Sequence, residues 1–445
     1  MLSVTEDTST REKRFQELKV EIHEKLLSGL NFTVSKSIEN SHLRSELRRG
    51  VEQLCSAHSD LLSQADRKRL VDELVDETLG LGPLEPLMHD TTISDILING
   101  PHCVYVERRG VLEKTPVRFR DNEHLLDIVQ RIAGRVGRRI DESTPMVDAR
   151  LPDGSRLNAV IQPLALDGAL VSIRRFPGKS LDVRSLIARH TATPAMFEFL
   201  AGCVRAKMNI LVSGGTGSGK TTLLNVLSSF VPADERIATI EDAAELRLQQ
   251  PHVARMETRA NNIEGKGEIS SRDLVKNALR MRPDRIIVGE CRGGEALDMM
   301  QAMSTGHDGS MSTIHANDTR EALNRLEMLI GMAAPELPMW FIHRQIASAV
   351  NIVVQVARLS GGERKIVQIS EVTGIHGDNL NMHDLFAFRQ TGVEKDGKAY
   401  GEFETLGLIP QCMEKLETAG IKMSRAKFKS GTHSFNRTDH LGGQK

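Results

Sequence analysis

Residues 214–221 read Gly-Gly-Thr-Gly-Ser-Gly-Lys-Thr and match the phosphate-binding pattern G-x-x-x-x-G-K-[ST]. Residues 209–213 before them have the composition of a short strand, and residues 222–227 after them have that of a helix. In such a loop, glycines let backbone N–H groups surround phosphate oxygens, and the helix N-terminus adds the positive end of a dipole. The predicted nucleotide-binding residues are Gly214, Gly215, Thr216, Gly217, Ser218, Gly219, Lys220, Thr221 and Thr222.

Two of these residues have side chains suited to a nucleoside triphosphate and its magnesium ion. We expect Lys220 to reach the β- and γ-phosphates and the Thr221 hydroxyl to ligate Mg²⁺. The predicted cofactors are therefore ATP and Mg²⁺.

Carboxylates end two further predicted strands. Glu241 and Asp242 follow residues 236–240, and Glu290 ends the run 285–290. Ligands of open α/β sheets lie beyond the carboxyl ends of the strands, so these acids are predicted to face the phosphate loop. An Asp that helps to hold Mg²⁺ usually stands where this chain has Gly289. We therefore expect Glu290 to position the attacking water, and Glu241 with Asp242 to supply carboxylates on the metal side.

Two histidines lie in one glycine-rich segment, residues 304–317. A short predicted strand ends at His315, close to the neighbouring strand ends, and a histidine there can donate to a γ-phosphate. His307 lies in the preceding loop, and two histidines in one such unit favour a functional interpretation.

The elements that must position these residues predict an α/β protein of several domains. After a disordered tail (1–13) we expect a helical bundle (14–80). The sequence does not show whether this bundle serves only packing or is a docking module. A small α+β domain (83–178) and a linker (179–193) follow, with a hinge at 177–180. A P-loop core (194–377) with a largely parallel sheet comes next. The C-terminal extension (378–445) is predicted to be irregular, and its residues 424–445 a loose tail.

Composition narrows the class of protein. A net charge of −1 and 4% aromatic residues argue against a nucleic-acid partner. No apolar run is long enough for a membrane span, and the first 15 residues lack the apolar segment of a signal peptide. The five cysteines have no metal-site spacing, so a reduced, cytoplasmic protein is expected.

Several segments together resemble the type II/type IV secretion ATPase superfamily, and within it the CpaF/TadA-type motor of tight-adherence (Flp) pili. The resemblance covers about residues 75–375, and it implies an α/β fold in which a RecA-like P-loop ATPase core is preceded by a small α+β, PAS-like domain and an N-terminal helical bundle. The segments that carry it are Gly80–Leu87 with Ile93–Gly100, Asp148–Arg156, Ser172–Phe176, Thr239–Asp242, Arg285–Arg292 and Gly306–Asn317.

The resemblance implies roles for individual residues. Glu241 would be the acid of the family's Asp box, Glu290 the catalytic glutamate and His315 a γ-phosphate contact. Arg156 and Arg174 resemble the arginines that reach the nucleotide from the smaller domain, and Arg150 and Arg175 are weaker candidates.

The resemblance also implies a homohexamer, cytoplasmic and peripheral at the inner membrane, that powers pilus assembly and possible retraction through an inner-membrane platform protein. The four-cysteine zinc module of many type II motors is missing from the sequence, which favours the tight-adherence or type IV branch. A type IV secretion ATPase is the alternative, a hexameric nucleic-acid motor is less favoured, and an intact Glu290 argues against a regulator without turnover.

Overall fold

The structure is a computed structural model of the 445-residue chain. It describes residues 14–15, 17–23, 25–26, 40–56, 63–108, 110–175, 181–259, 266–395 and 397–433. The chain divides into two compact units, residues 1–177 and 178–445. The predicted N-terminal tail, the predicted hinge at 177–180 and the last twelve residues of the predicted C-terminal tail lie outside the described residues.

Amphipathic helices form the beginning of the first unit. The described residues between 14 and 26 are helical, and α1 (Asn40–Ser56) and α2 (Gln64–Leu79) follow. Ser63 caps α2 by accepting a hydrogen bond from the Asp66 N–H. Apolar residues three or four positions apart pack into one core. This core contains Phe15, Leu18, Ile22, Leu26, Leu47, Val51, Cys55, Leu70, Val71, Leu74 and Val75.

An antiparallel sheet and two helices complete the described part of this unit. The order of the strands in the sheet is β3-β2-β1-β6-β5-β4. Burial alternates along β4 to β6, as expected of a sheet with one covered face. The apolar side of α4 packs into the same core as the covered face of the sheet. The elements are α3 (Glu85–His89), β1 (Ile93–Asn99), β2 (Val104–Arg108), β3 (Val111–Lys114), α4 (Asn122–Arg135), β4 (Met146–Arg150), β5 (Arg156–Val160) and β6 (Leu170–Arg174).

The second unit is built on a mixed sheet whose described strands are ordered β16-β15-β14-β13-β12-β7-β11-β10-β8-β9. Neighbours from β12 to β9 are parallel, and those from β12 to β16 are antiparallel. The strands are β7 (Ile210–Gly214), β8 (Ile237–Glu241), β9 (Val253–Glu257), β10 (Arg285–Cys291), β11 (Met311–Ile314), β12 (Ile352–Arg358), β13 (Arg364–His376), β14 (Asn379–Val393), β15 (Ala399–Thr405) and β16 (Gly431–His433).

Helices cover both faces of the parallel part. Consecutive residues of β7 show this, because Ile210 and Val212 belong to one apolar core and Leu211 to another. Within the predicted linker, α5 contributes the buried Leu186 to the first of these cores. The helices are α5 (Val183–Ala188), α6 (Pro194–Arg205), α7 (Lys220–Ser228), α8 (Ser271–Ala278), α9 (Glu295–Ser304), α10 (Thr319–Ala333), α11 (Met339–Ala349) and α12 (Met413–Thr418).

The prediction that residues 378–445 are irregular is wrong for the part that the structure describes. Strands β14, β15 and β16 extend the sheet, and α12 packs against it through buried Met413 and Leu416. A tight turn at 377–378 joins β13 to β14, with His376 opposite Asn379. Phe428, within the predicted loose tail, is 1% exposed. None of the helices in the described segments combines the length and the apolar character needed to cross a membrane.

Candidate nucleotide site

The predicted phosphate loop lies between β7 and α7 in the second unit. All five residues of β7 are buried, which fixes the start of the loop. Helix α7 begins at Lys220, and its N-cap is Gly219, whose φ of 100° is in the left-handed region. Only glycine adopts that conformation readily. The loop therefore ends at a helix N-terminus, where N–H groups without intrahelical partners can bind an anion.

Lys220, Thr221 and Thr222 form the first turn of α7 and are half-buried. The Lys220 ammonium donates to the carbonyl oxygens of Gly214 at 2.9 Å and Gly215 at 3.1 Å. It also lies 4.0 Å from Oε1 of Glu290. The Lys220 ammonium thus lies between the carbonyl oxygens of the loop and the Glu290 carboxylate.

Glu290 lies near the carboxyl end of β10 and belongs to a small charged network. Its Oε2 accepts a hydrogen bond of 2.8 Å from Nε of Arg292, and Nη1 of Arg292 lies 3.2 Å from Oδ2 of Asp242. The other oxygen of Asp242 accepts from the Ser271 hydroxyl at 3.2 Å. The Arg292 side chain is 61% exposed. Such a pair is weak and can open when another charge arrives. The sequence analysis assigned no role to Arg292, although this residue ends the segment Arg285–Arg292 of the family resemblance.

Glu241 ends β8 and is 4% exposed. Its Oε2 accepts from the backbone N–H groups of Glu245 at 2.7 Å and Leu246 at 2.8 Å, while its buried Oε1 has no hydrogen-bond partner. Burial raises the pKa of Glu241 to about 7, and the two backbone hydrogen bonds limit the rise. An orphaned buried acceptor of this kind fits a proton or a cation.

Gly289 lies directly against this carboxylate. A Cβ at Gly289 would lie 3.1 Å from Cγ of Glu241 and 3.5 Å from its Cβ. The glycine therefore makes room for Glu241 from the neighbouring strand. This contact gives a physical reason why a glycine occupies the position where an Asp is usual.

The residues predicted to hold Mg²⁺ include only two carboxylates, Glu241 and Asp242, together with Thr221. Among the described residues, no three His, Cys, Asp or Glu side chains form a group that could hold a metal ion. Mg²⁺ commonly takes one or two protein ligands and completes its shell with phosphates and water. The unpartnered oxygen of Glu241 is compatible with that mode of binding.

The two histidines of the glycine-rich segment lie at opposite ends of β11. His315 follows the carboxyl end of the strand and is exposed, on the edge of the sheet where the phosphate loop and Glu290 lie. His307 precedes the amino end, in a loop held by buried Asn209, whose Oδ1 accepts from the N–H of Gly309 at 2.8 Å. The functional interpretation of the histidine pair is therefore wrong for His307, and His315 stays a candidate.

The predicted arginines lie in the first unit. Arg150, Arg156 and Arg174 stand directly opposite one another on β4, β5 and β6, forming one row across the sheet. Arg156 also pairs with Asp148 at 3.0 Å. Their predicted contact with the nucleotide stays a prediction. Arg175 instead donates to the backbone carbonyls of Leu87 and Asp90, which is a structural role.

Two further arginines of the second unit, Arg358 and Arg364, approach the phosphate loop. Nε of Arg364 donates to the carbonyl of Gly217 at 2.9 Å. The sequence analysis missed both, because they lie more than 130 residues after the loop and only strand pairing brings them to it.

The fold and the loop together define a RecA-like α/β protein. A family model described as "Type II/IV secretion system protein" matches residues 77–395. A protein of Mycobacterium tuberculosis named for conjugal transfer is 39% identical over 307 residues, covering 68% of this chain and 87% of that protein. The conjugal transfer protein TrbB of Rhizobium radiobacter is 31% identical over 333 residues, covering 74% of this chain and 96% of TrbB.

The type IV secretion system protein PtlH of Bordetella pertussis is 34% identical over 318 residues, covering 65% of this chain and 93% of PtlH. Among solved structures, the VirB11 ATPase of the Brucella suis type IV secretion system is 29% identical, with a TM-score of 0.36, and covers 66% of this chain and 97% of that one. The chain belongs to the type II/IV secretion system protein family.

Proposed function

We propose that this chain is an ATPase that hydrolyses ATP at the loop 214–222 and uses the energy to drive pilus assembly. The observation that carries the proposal is the pairing of Lys220 with Glu290 across the mouth of the loop, at 4.0 Å. A γ-phosphate held by the lysine would lie next to the carboxylate that can orient water. The complete phosphate-binding loop and the membership of the type II/IV secretion system protein family support ATP as the substrate.

Each side chain then has a specific task. Lys220 binds the phosphates, and the backbone N–H groups of the loop and of the first turn of α7 surround them. Glu290 orients the attacking water and accepts its proton, after the weak pair with Arg292 opens. The freed Arg292 carries positive charge beside the phosphates. His315 donates a hydrogen bond to the γ-phosphate.

Mg²⁺, when bound with ATP, would neutralise charge on the phosphate oxygens. The Thr221 hydroxyl and the Glu241 and Asp242 carboxylates are the protein groups that would hold it or its water ligands. The pKa of Glu241 is raised to about 7, so its carboxyl group is partly protonated near neutral pH. A cation that binds this group therefore displaces a proton.

The working form is proposed to be a homohexamer, cytoplasmic and peripheral at the inner membrane, engaging a platform protein of the tight-adherence (Flp) pilus. The resemblance of residues 75–375 to CpaF/TadA-type motors supports this client. Relatives named for conjugal transfer and type IV secretion favour the second candidate, a type IV secretion ATPase.

The experiment that separates the two clients uses Glu290→Gln in the cells from which the chain comes. We expect the variant to form the same hexamer as the wild type and to abolish surface pili, because an unproductive subunit stalls the motor. Glu336→Gln, an exposed acid between α10 and α11, is the matched control. Normal piliation with loss of conjugation or protein secretion would show that the chain serves a type IV secretion system and not the pilus. Normal output of both kinds would refute a motor role.

A further inference from the structure

The turn between β10 and α9 carries Arg292, whose guanidinium group lies between two acids of the candidate site. Nε and Nη2 of Arg292 donate to Oε2 of Glu290 at 2.8 and 2.5 Å. Nη1 lies 3.2 Å from Oδ2 of Asp242. One side chain therefore joins the carboxylate proposed to orient water to a carboxylate proposed for the metal side. Since 61% of this side chain is exposed, packing does little to hold it, and its position depends on the backbone of the turn.

Glu295 holds that backbone from the side of α9. Its Oε1 accepts from the N–H of Arg292 at 2.6 Å and from the N–H of Gly293 at 2.8 Å. Glu295 is 8% exposed, and hydrogen bonds from backbone N–H groups to a carboxylate are among the strong ones. On the other side of Arg292, buried Cys291 has its Sγ 3.2 Å from the Ser312 hydroxyl of β11. The residue that carries the guanidinium group is thus held on both sides along the chain.

The two hydrogen bonds of Glu295 serve the turn and not the helix. Glu295 is the first residue of α9, and the N-cap is Gly294, which makes no side-chain capping bond. A capping side chain accepts from N–H groups inside the first turn of a helix. The N–H groups of Arg292 and Gly293 lie before α9 begins, so the acceptor fixes the turn that carries the arginine.

Two glycines let this turn pack closely against its neighbours. A Cβ built at Gly293 would lie 3.2 Å from Oε2 of Glu295. One built at Gly294 would lie 3.4 Å from Cδ of Arg272 on α8. The turn therefore lies between the carboxylate that holds it and α8.

We propose that Glu295 is a positioning residue for ATP hydrolysis, which acts through Arg292 by fixing the backbone from which the guanidinium group reaches the site. This inference rests on the proposed function. Held in this way, Arg292 stays beside the phosphates when its pair with Glu290 opens. A cation that is already in place stabilises the charge of the transition state without reorganisation. Since Lys220 and the loop still bind the phosphates, loss of this hold should lower kcat and change the Kd of ADP little.

The first test separates the reach of the Glu295 side chain from its charge. Glu295→Asp keeps the charge, and an acid suits the first turn of a helix, but its carboxylate is one methylene group too short to meet both N–H groups. We expect kcat, measured by phosphate release with Mg²⁺ and ATP, to fall about tenfold. Glu295→Gln loses the charge but keeps an acceptor oxygen at the same reach, so kcat should stay within about threefold of wild type. The reverse order of these two variants would overturn the inference, because the charge and not the hold on the turn would then matter.

The second test asks whether Glu295 acts through Arg292. Arg292→Ala should lower kcat about a hundredfold. Adding Glu295→Asp should then lower it less than about twofold further, because the side chain that Glu295 positions is gone. The Kd of ADP, measured by calorimetry on the full-length chain, should change less than about threefold in each variant. A further tenfold loss of kcat in the double variant, or a wild-type kcat in Arg292→Ala, contradicts a role through this arginine.

Glu371 on β13 provides the matched control. It is 3% exposed and accepts from the backbone N–H groups of Gln411 at 2.8 Å and Cys412 at 2.6 Å, so it holds a segment of backbone by the same kind of bonds. Glu371→Asp should lower the temperature of thermal unfolding about as much as Glu295→Asp and leave kcat unchanged. An equal fall in kcat for Glu371→Asp would attribute the effect to stability alone and so overturn the inference.

The wild-type chain distinguishes this inference from the proposed function on which it rests. Binding of ADP without release of phosphate from ATP refutes the proposed function, and the inference with it. Phosphate release by the wild type, with additive effects of Glu295→Asp and Arg292→Ala, refutes the positioning role alone.

Discussion

At the scale of single residues, the candidate site contains two glutamates, Glu290 and Glu241, that differ in burial and in hydrogen bonding. Glu290 is half-buried and paired with an exposed arginine, so it stays available. Glu241 is buried with one oxygen unpartnered, and its pKa is raised to about 7. The proposed roles, orienting water for Glu290 and binding on the metal side for Glu241, follow from this difference in environment and not from residue type.

The position of Gly289 gives a prediction at this scale. In Gly289→Ala the new methyl group meets Glu241 at 3.1 Å, so the carboxylate must move away from the N–H groups that hold it. We expect a loss of about 1 kcal/mol in stability, as for a tightly overpacked site, and a turnover about tenfold lower. Gly331→Ala is the control, because it lies in α10 with nothing within 4 Å of the added Cβ. Thermal unfolding and steady-state turnover measure both effects; indistinguishable behaviour of the two variants would contradict the assigned contact.

At the scale of elements, a buried ion-pair cluster joins the N-terminal helices to the α+β part of the first unit. Glu77 on α2 accepts from His124 on α4 and lies 3.3 Å from the Lys19 ammonium. Burial raises the pKa of Glu77, but the hydrogen bond from His124 and the charge of Lys19 outweigh it and lower the pKa to about 2. A carboxyl with a lowered pKa stabilises the folded state above its unfolded value of 4.5, and this contribution is lost as the pH falls toward 2.

Glu77→Gln is therefore expected to lose up to about 3 kcal/mol of stability at pH 7 and about 1 kcal/mol at pH 3. Urea unfolding followed by circular dichroism at the two pH values measures the difference. Glu73→Gln, one turn earlier and paired with the same lysine at 3.0 Å, is the control. It is more exposed and should cost less than about 1 kcal/mol. An equal loss for Glu77→Gln at both pH values would rule out the ionic explanation.

The sequence predicted those elements whose patterns lie within a few neighbouring residues. The loop 214–222 is present, and so are the strands that carry Glu241 and Glu290 at or near their carboxyl ends. Prediction failed where pairing is long-range. The turn Gly377-Asp378 is a two-residue hairpin signal that was not recognised, so β14 and the strands beyond it were missed. Arg358 and Arg364 were missed for the related reason that register, and not spacing, brings them to the loop.

At the scale of the whole molecule, the side chains proposed for hydrolysis lie in the second unit, and the row of Arg150, Arg156 and Arg174 lies in the first. A net charge of −1 supplies no general attraction to nucleic acid or to anionic membranes. The proposed association with a membrane platform would therefore depend on particular surfaces of the protein. The proposed hexamer would present several copies of each such surface. ATP hydrolysis is the step that every part of the proposal requires.

The most direct test of the account is phosphate release by the purified chain with Mg²⁺ and ATP, together with the identity of the nucleotide that stays bound. We predict that wild type and Glu336→Gln release phosphate continuously and retain ADP. Glu290→Gln should release phosphate at least about a hundredfold more slowly and retain ATP, because Lys220 still holds the phosphates while the water has lost its base. Phosphate release by Glu290→Gln at the wild-type rate would contradict the central claim.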